Sequence, residues 1–383
     1  MSIITEPQTI NGILALDNNV SVTNVIETGN ATDATAGQQR NRLLSKINFE
    51  SHNSLNREEF FDLTPSIGRE YPQAQLSDWI TAEDSDELLK ELAITVSNRG
   101  VVFFRNQNLS IEEQKILGQR LGELTGKPKE SSLHIHPVIN AGREGVDSTG
   151  EVDNNDNEVS ILSKSQQKTI YPPKAEAKAF RPKASAGWHS DITFEPVPAD
   201  YTILKMQIPS KNGGDTLWAS GHELYTRFSP HFRRFLDGLT ATYAQPRFNQ
   251  YANAGGFSIY DGPRGSPHNT GEKLEAVHPV IRTNPITGLK SVFAVGHHVE
   301  KINDVTSEES EYLLNRFIEL IAHNHDLQVR FKWKKNDLAI WDNRSVYHTA
   351  TYDAVGPERV GIRVVGIGEK PYFDPNSRAI DGL

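Results

Sequence analysis

The sequence predicts a mainly β fold with flanking helices, in which antiparallel strands pair into a double-sheet barrel. Two observations predict it. Many short strand-like runs recur along the second half of the chain, and only a few helical segments accompany them. The two kinds of segment do not alternate as a βαβ fold would require.

In chain order, residues 1–55 are polar and rich in Asn, Thr, Ser and Gln, with no sustained hydrophobic period. They are expected to be a flexible arm or an oligomer contact, which leaves room for a homo-oligomer. Residues 56–383 then form one domain, whose packed body opens near Phe60. Residues 84–98 read as a helix, with Leu88, Leu89, Leu92 and Val96 at helical spacing and Gly100 as its stop. Val101–Phe104 is a short buried strand. Ser110 and Glu113 form a capping-box pattern ahead of a helix that carries Ile116, Leu117, Leu121 and Leu124, and Thr306 with Glu309 opens a second. That one carries Leu313, Leu314, Phe317, Ile318 and Ile321. Strands are expected at Tyr201–Ile208, Asp215–Trp218, Ser291–Val295, Val329–Trp333, Leu338–Trp341 and Gly361–Ile367. Two long polar or Gly/Pro-rich segments, about 140–186 and 247–277, read as loop insertions, the first as a lid.

Composition narrows the function. The 383 residues carry a net charge of −9, which disfavours a nucleic-acid partner or an acidic membrane surface. No stretch approaches the roughly 20 apolar residues that cross a bilayer, and the N-terminus lacks the charged and apolar regions of a secretory signal. The expectation is a soluble, cytoplasmic protein with no membrane partner. There is no cysteine, so disulfides, zinc–thiolate sites, iron–sulfur clusters and cysteine nucleophiles are excluded. A metal would have to be held by His, Asp or Glu.

One constellation fits such a metal. In Gly187-Trp188-His189-Ser190-Asp191 the histidine and aspartate would point to one face of an extended strand. His348 ends the distant run Trp341-Asp342-Asn343-Arg344-Ser345-Val346-Tyr347-His348 and could add a second imidazole. Two histidines and one carboxylate leave open positions on the ion, the arrangement suited to a non-haem iron that must also bind a co-substrate and oxygen. A His-x-Asp pair is unspecific by itself in a chain with 13 His and 49 acidic residues. The other paired histidines, His134 with His136, His297 with His298 and His323 with His325, have equal standing on spacing alone.

Five ordered motifs separate them. GWHSDITF, GGDTLWAS, HPVIRTNPITG, NDLAIWDNRSVYH and RVGIR with GEKPYF closely resemble the taurine dioxygenase family, nearest to its fungal sulfonate and 2-oxoglutarate-dependent members. The resemblance runs from about residue 84 to 375 and implies a double-stranded β-helix (jelly-roll) core. It implies that His189, Asp191 and His348 bind Fe(II), and that 2-oxoglutarate and O2 are co-substrates. Arg359 matches the arginine, and Thr216 the hydroxyl, that hold the distal carboxylate of 2-oxoglutarate. Arg363 and His136 match residues that grip the sulfonate of taurine. A planar guanidinium suits carboxylate and sulfonate oxygens alike. The implied enzyme oxidises a C–H bond of a small anionic substrate, with succinate and CO2 as co-products.

The chain departs from the family pattern where the substrate would sit. Ile139 stands where a tyrosine is common, and Ser185 stands where an asparagine precedes the first metal ligand. Val295-Gly296-His297-His298-Val299 replaces an Asn-Gly-Phe run that follows the strand of Phe293. With Ile139, Ser185 and Phe293 at the pocket, the same chemistry on an amino acid or other small carboxylate in secondary metabolism is the alternative, ending in hydroxylation, desaturation or cyclisation. A non-catalytic binding protein of the same fold is a third reading.

Overall fold

A computed structural model describes residues 51–140, 156–163, 182–356 and 358–382. Its largest sheet has seven strands in the order Phe61–Asp62, Arg69–Tyr71, Val101–Phe104, Leu338–Asp342, Ala199–Ile208, Val360–Ile367 and Val159–Ser163. All neighbours are antiparallel except Arg69–Tyr71, which runs parallel to Val101–Phe104. A three-stranded antiparallel sheet sets Thr216–Ser220 between Gln328–Phe331 and Val346–Ala350. A second places Thr240–Ala244 between Val299–Ile302 and Glu275–Pro279, and Ile281–Thr283 pairs with Lys290–Val292. The protein is mainly β with flanking helices.

Side-chain alternation along these strands makes the core. Val102, Phe104, Ile203, Leu338 and Ile340 point from the large sheet to the helices Ser85–Arg99 and Ile111–Leu124, against Leu88, Leu89, Leu92, Val96, Leu117 and Leu121. Phe103, Leu204, Ala339 and Trp341 point the other way, toward Trp218, Val329, Phe331 and Val346 of the three-stranded sheet. Trp218 meets Trp341 at 5.7 Å and Phe103 at 5.2 Å between ring centroids, both edge-on. Each such fully buried side chain contributes roughly 1.5–3 kcal/mol by leaving water. Trp188, Trp218 and Trp341 are all core residues.

Both capping boxes form. Ser110 and Glu113 satisfy each other's backbone N–H groups at the start of Ile111–Leu124, and Thr306 and Glu309 do so before Ser307–His323. Gly100, at φ 73°, ends the first long helix as expected. Ile116, expected on the packed stripe, is 45% exposed, because the buried face runs through Gln114, Leu117, Gly118, Leu121 and Gly122.

The expected loops need correction. The segment 140–186 contains the strand Val159–Ser163, whose Val159 and Ile161 are buried against Val360–Ile367. Residues 141–155 and 164–181 of that expected lid, and residues 1–50 of the expected arm, lie outside the described residues. Segment 247–277 enters as a helix, Pro246–Gly255, with proline in its first turn and Gly256 in the left-handed conformation after its end. Leu55 is buried under the helical face, and the Ser51 hydroxyl donates to Glu91 at 2.5 Å, so packing extends upstream of Phe60. No helix among the described residues is long and apolar enough to cross a membrane.

Candidate metal and co-substrate site

His189 is not part of a regular strand. It makes isolated bridges to Gly296 on one side and His348 on the other, and the chain turns directly after it. The expected extended strand through Asp191 is therefore replaced by one bridge residue and a turn, with Ile192 at φ 47°. The ligand atoms of His189, Asp191 and His348 nevertheless converge within 4.8 Å of one another. The three residues singled out by sequence are thus brought together, by a geometry partly different from a continuous strand.

Three elements bring them together. His348 lies on Val346–Ala350, opposite Trp218, and its ring packs 4.9 Å from that of Trp341. His189 Nδ1 lies 2.7 Å from the Gly187 carbonyl; a carbonyl only accepts, so Nδ1 carries the proton and Nε2 keeps its lone pair. Asp191 sits in a ring of hydrogen bonds. Its backbone N–H donates to Asn343 Oδ1 at 3.1 Å, Asn343 Nδ2 donates to Thr202 Oγ1 at 2.8 Å, and Thr202 Oγ1 donates to Asp191 Oδ2 at 2.9 Å. Trp341 Nε1 also donates to Asn343 Oδ1, at 3.1 Å. Thr202, Asn343 and Trp341 thus orient the Asp191 carboxylate without joining the cluster, as supporting residues around a metal centre do.

The electrostatics favour the forms a cation needs. Burial and the nearby His348 lower the His189 imidazole to about 4. Burial alone would raise Asp191, but the Arg363 guanidinium and both histidines outweigh it and hold the carboxyl at about 2. Burial likewise lowers His348. A carboxylate and two neutral imidazoles, with no thiolate in the chain, fit an iron that needs open coordination positions.

Arg359 precedes the strand Val360–Ile367, and its Nε donates to the Gly214 carbonyl at 3.2 Å, two residues before Thr216. Burial lowers its guanidinium to about 10, against the pull of Asp215. No carboxylate of the described residues lies within ion-pair distance of it, because Asp215 pairs with Arg330 at 2.7 Å. Thr216 is buried at the start of Thr216–Ser220, where its hydroxyl accepts from Trp333 Nε1 at 2.9 Å.

Arg363 stands elsewhere. Its Nη1 donates to Asp191 Oδ1 at 2.8 Å, while its buried Nε has no hydrogen-bond partner among the described residues. The even spacing of Arg359 and Arg363 does not put them on one regular strand, since Arg359 lies outside it and a register shift separates Val360 from Gly361. His136 is buried, and its Nδ1 accepts the N–H groups of Val138 and Ile139, each at 3.0 Å. Ile139 is buried in the apolar cluster of Val159, Ile362 and Phe194. Ser185 lies in a partly exposed turn beside Ala184, whose carbonyl accepts from Trp188 Nε1. Phe293 is packed among Tyr243, His278 and the Arg282 guanidinium, in the core behind the site.

His297 and His298 are closer to the His189, Asp191 and His348 cluster than their spacing suggested. Their ring centroids lie 4.8 Å and 6.1 Å from that of His189, and His298 Nδ1 bonds the Thr193 hydroxyl at 3.0 Å. Gly296 between them and Val295 has φ 102°, and a Cβ there would meet His189 Cα at 2.8 Å. A glycine followed directly by two histidines was the available signal.

Comparisons with known proteins show the family and the fold. Residues 59–365 match the family described as taurine catabolism dioxygenase TauD, TfdA family. An alpha-ketoglutarate-dependent dioxygenase of Penicillium shearii is 43% identical over 352 residues, covering 83% of this chain and 91% of its own. The alpha-ketoglutarate-dependent sulfonate dioxygenase of Saccharomyces cerevisiae is 32% identical over 316 residues, covering 82% of this chain and 67% of its own. The crystal structure of a taurine dioxygenase from Burkholderia xenovorans shares the fold, with TM-score 0.60 and 24% identity, over 84% of this chain and 92% of that one.

Proposed function

This chain belongs to the TauD, TfdA family and is an alpha-ketoglutarate-dependent dioxygenase, and from that premise we propose its metal, its co-substrate anchor and its substrate class. His189, Asp191 and His348 hold Fe(II), on a domain of residues 56–383 whose two facing sheets form a jelly-roll core. The observation that carries this reading is the convergence of two imidazoles and one carboxylate within 4.8 Å. Bound Fe(II), with 2-oxoglutarate and O2, supplies the oxidising power for a C–H bond, yielding succinate and CO2.

The protein's own contribution is placement. Among the described residues Arg359, a partly buried cation, has only a carbonyl as partner, so the distal carboxylate of 2-oxoglutarate completes it, with the Thr216 hydroxyl alongside. Arg363 secures Asp191 with Nη1 and offers Nε to an anionic group of the substrate. His136, with Nδ1 committed to two backbone donors, carries its proton on Nε2 and turns that edge toward the same anion. Fixing the anionic end orients the reacting carbon and lowers the entropic part of the barrier. The enzyme works as a soluble, cytoplasmic protein.

The substrate is a small anion, a sulfonate such as taurine or a small carboxylate. The apolar burial of Ile139 favours the second, an amino acid or related carboxylate, because no tyrosine hydroxyl is available there to a sulfonate's third oxygen. Succinate release from Fe(II), 2-oxoglutarate and O2, measured with matched sulfonates and amino acids, tests both. Stimulation by one anion class identifies the substrate, and stimulation by neutral compounds alone would overturn the anionic reading.

A further inference from the structure

The turn that follows Asp191 is held from outside the metal site. Ile192, buried and β-branched, sits at φ 47°, a left-handed conformation that such residues adopt rarely and at a cost. The Glu195 N–H closes the turn on the Ile192 carbonyl at 3.0 Å. Nothing local in Ile192-Thr193-Phe194-Glu195 favours this shape, so the surroundings must impose it.

Buried residues do so, among them His278 and Arg264, beside His298 on the Thr193 hydroxyl and His134 at 3.6 Å from Glu195. His278, on the strand Glu275–Pro279, places Nε2 3.0 Å from the Thr193 carbonyl and 3.1 Å from the Glu195 carbonyl. Both are acceptors only, so the proton is on Nε2 and is shared between them. Burial and the Arg282 guanidinium lower the imidazole to about 3, which keeps the ring neutral. From the other side, Arg264 grips Glu195 with two hydrogen bonds of 2.5 and 3.0 Å, and its Nη1 donates to the carbonyls of Tyr260 and Gly271. Arg264 and Glu195 are both fully buried.

We propose that His278 and Arg264 are positioning residues for the metal ligand Asp191, acting through the strained turn Ile192–Glu195. His278 opens the HPVIRTNPITG run, a motif the chemistry of the site leaves unexplained. Its ring touches no metal ligand; it lies against Tyr243 and Phe293 at 4.9 and 5.9 Å between centroids, and only its N–H reaches the turn. Without that donor, the two carbonyls lose their partner and Ile192 relaxes toward ordinary backbone angles, carrying Asp191 away from His189 and His348. The inference rests on Asp191 being a metal ligand.

The test is Mn(II) affinity of the full chain, read by electron paramagnetic resonance without turnover. His278→Phe keeps the ring packing and removes the donor, and should weaken Mn(II) binding about 10-fold or more. His278→Gln restores an N–H and should recover most of the loss. In an Ile192→Gly background, where the left-handed turn needs no restraint, His278→Phe should cost much less than in the parent. Parent-like Mn(II) affinity in His278→Phe, or an equal loss in both backgrounds, would overturn the proposal while leaving the metal site intact. If Asp191→Ala itself binds Mn(II) as the parent does, the metal assignment fails and this inference falls with it.

Discussion

His189 and His348 exchange two backbone hydrogen bonds, from His189 N–H to the His348 carbonyl at 3.1 Å and from His348 N–H to the His189 carbonyl at 2.8 Å. This single antiparallel bridge sets the two imidazoles 4.3 Å apart between centroids. Two proposed metal ligands from distant parts of the chain are therefore registered by main-chain bonds, and their separation does not depend on the side chains themselves.

Removing a ligand side chain should accordingly cost metal and turnover before it costs the fold. His348→Ala is expected to abolish succinate formation and sharply weaken Fe(II) binding, while the metal-free protein melts near the parent. Asp191→Ala should abolish activity as well, but it also strands the buried Arg363 charge, at about 3–5 kcal/mol. Fe(II) titration beside thermal melts of both metal-free variants checks the contrast. Near-normal turnover in either would refute the ligand assignment.

Gly296 supports the other side of the same bridge. At φ 102° with His189 pressed against it, alanine must strain the backbone and displace Trp188 or His189. Gly296→Ala should lose about 1–3 kcal/mol of stability and a large part of the metal affinity together. Urea unfolding with a metal titration decides it; a stable variant that binds Fe(II) normally would show that the bridge tolerates movement.

The metal-free protein should lose stability as pH falls from about 6.5. Burial lowers His278 to about 3 and His189 to about 4, and it also lowers His134, His222 and His298. Each is neutral in the folded state, while the unfolded chain takes up a proton near 6.5, so the unfolded state binds more protons between those values. Stability then rises with pH, by up to ~1.4 kcal/mol per pH unit for each histidine within its window. Asp191, depressed to about 2, adds a loss in the same direction below about 4. Asp200, raised by burial, opposes it, since its contribution is present at low pH and fades as pH rises. Denaturant midpoints from pH 4 to 7 measure the sum; a flat profile would show that these histidines are not held neutral.

The legible part of this molecule was its periodic and motif-bearing part. Helices with Leu88, Leu92 and Val96 or Leu313 and Phe317 on one face, continuous apolar strands buried on both faces such as Val101–Phe104 and Leu338–Asp342, and the three tryptophans of the core follow from residue type and spacing. Thr240–Ala244, Glu275–Pro279 and Val299–Ile302 escaped because they are short and partly exposed, with Pro, His and Lys among apolar residues. Pro246 reads as a breaker in sequence but serves as a helix start. At the site, the cluster of His189, Asp191 and His348 was visible, whereas the turn at Ile192 and the Arg363–Asp191 pair depend on long-range packing that no local pattern encodes.

That pair changes what the two arginines should do. Arg359 has no carboxylate among the described residues, so Arg359→Ala removes a charged partner for 2-oxoglutarate and little else. The half-saturation for 2-oxoglutarate should rise about 30- to 1,000-fold, roughly 2–4 kcal/mol, with Fe(II) affinity nearly unchanged. Arg363→Ala acts twice, because Nη1 holds Asp191 and Nε is the donor assigned to the substrate anion. It should weaken the prime substrate and also loosen Asp191, leaving slow 2-oxoglutarate decarboxylation uncoupled from substrate oxidation. Half-saturation constants for both substrates, with Fe(II) affinity measured in each variant, separate these effects. If Arg363→Ala alters metal affinity alone, Arg363 serves Asp191 only, and the substrate anion must be sought at His297 or His298, whose rings already flank His189.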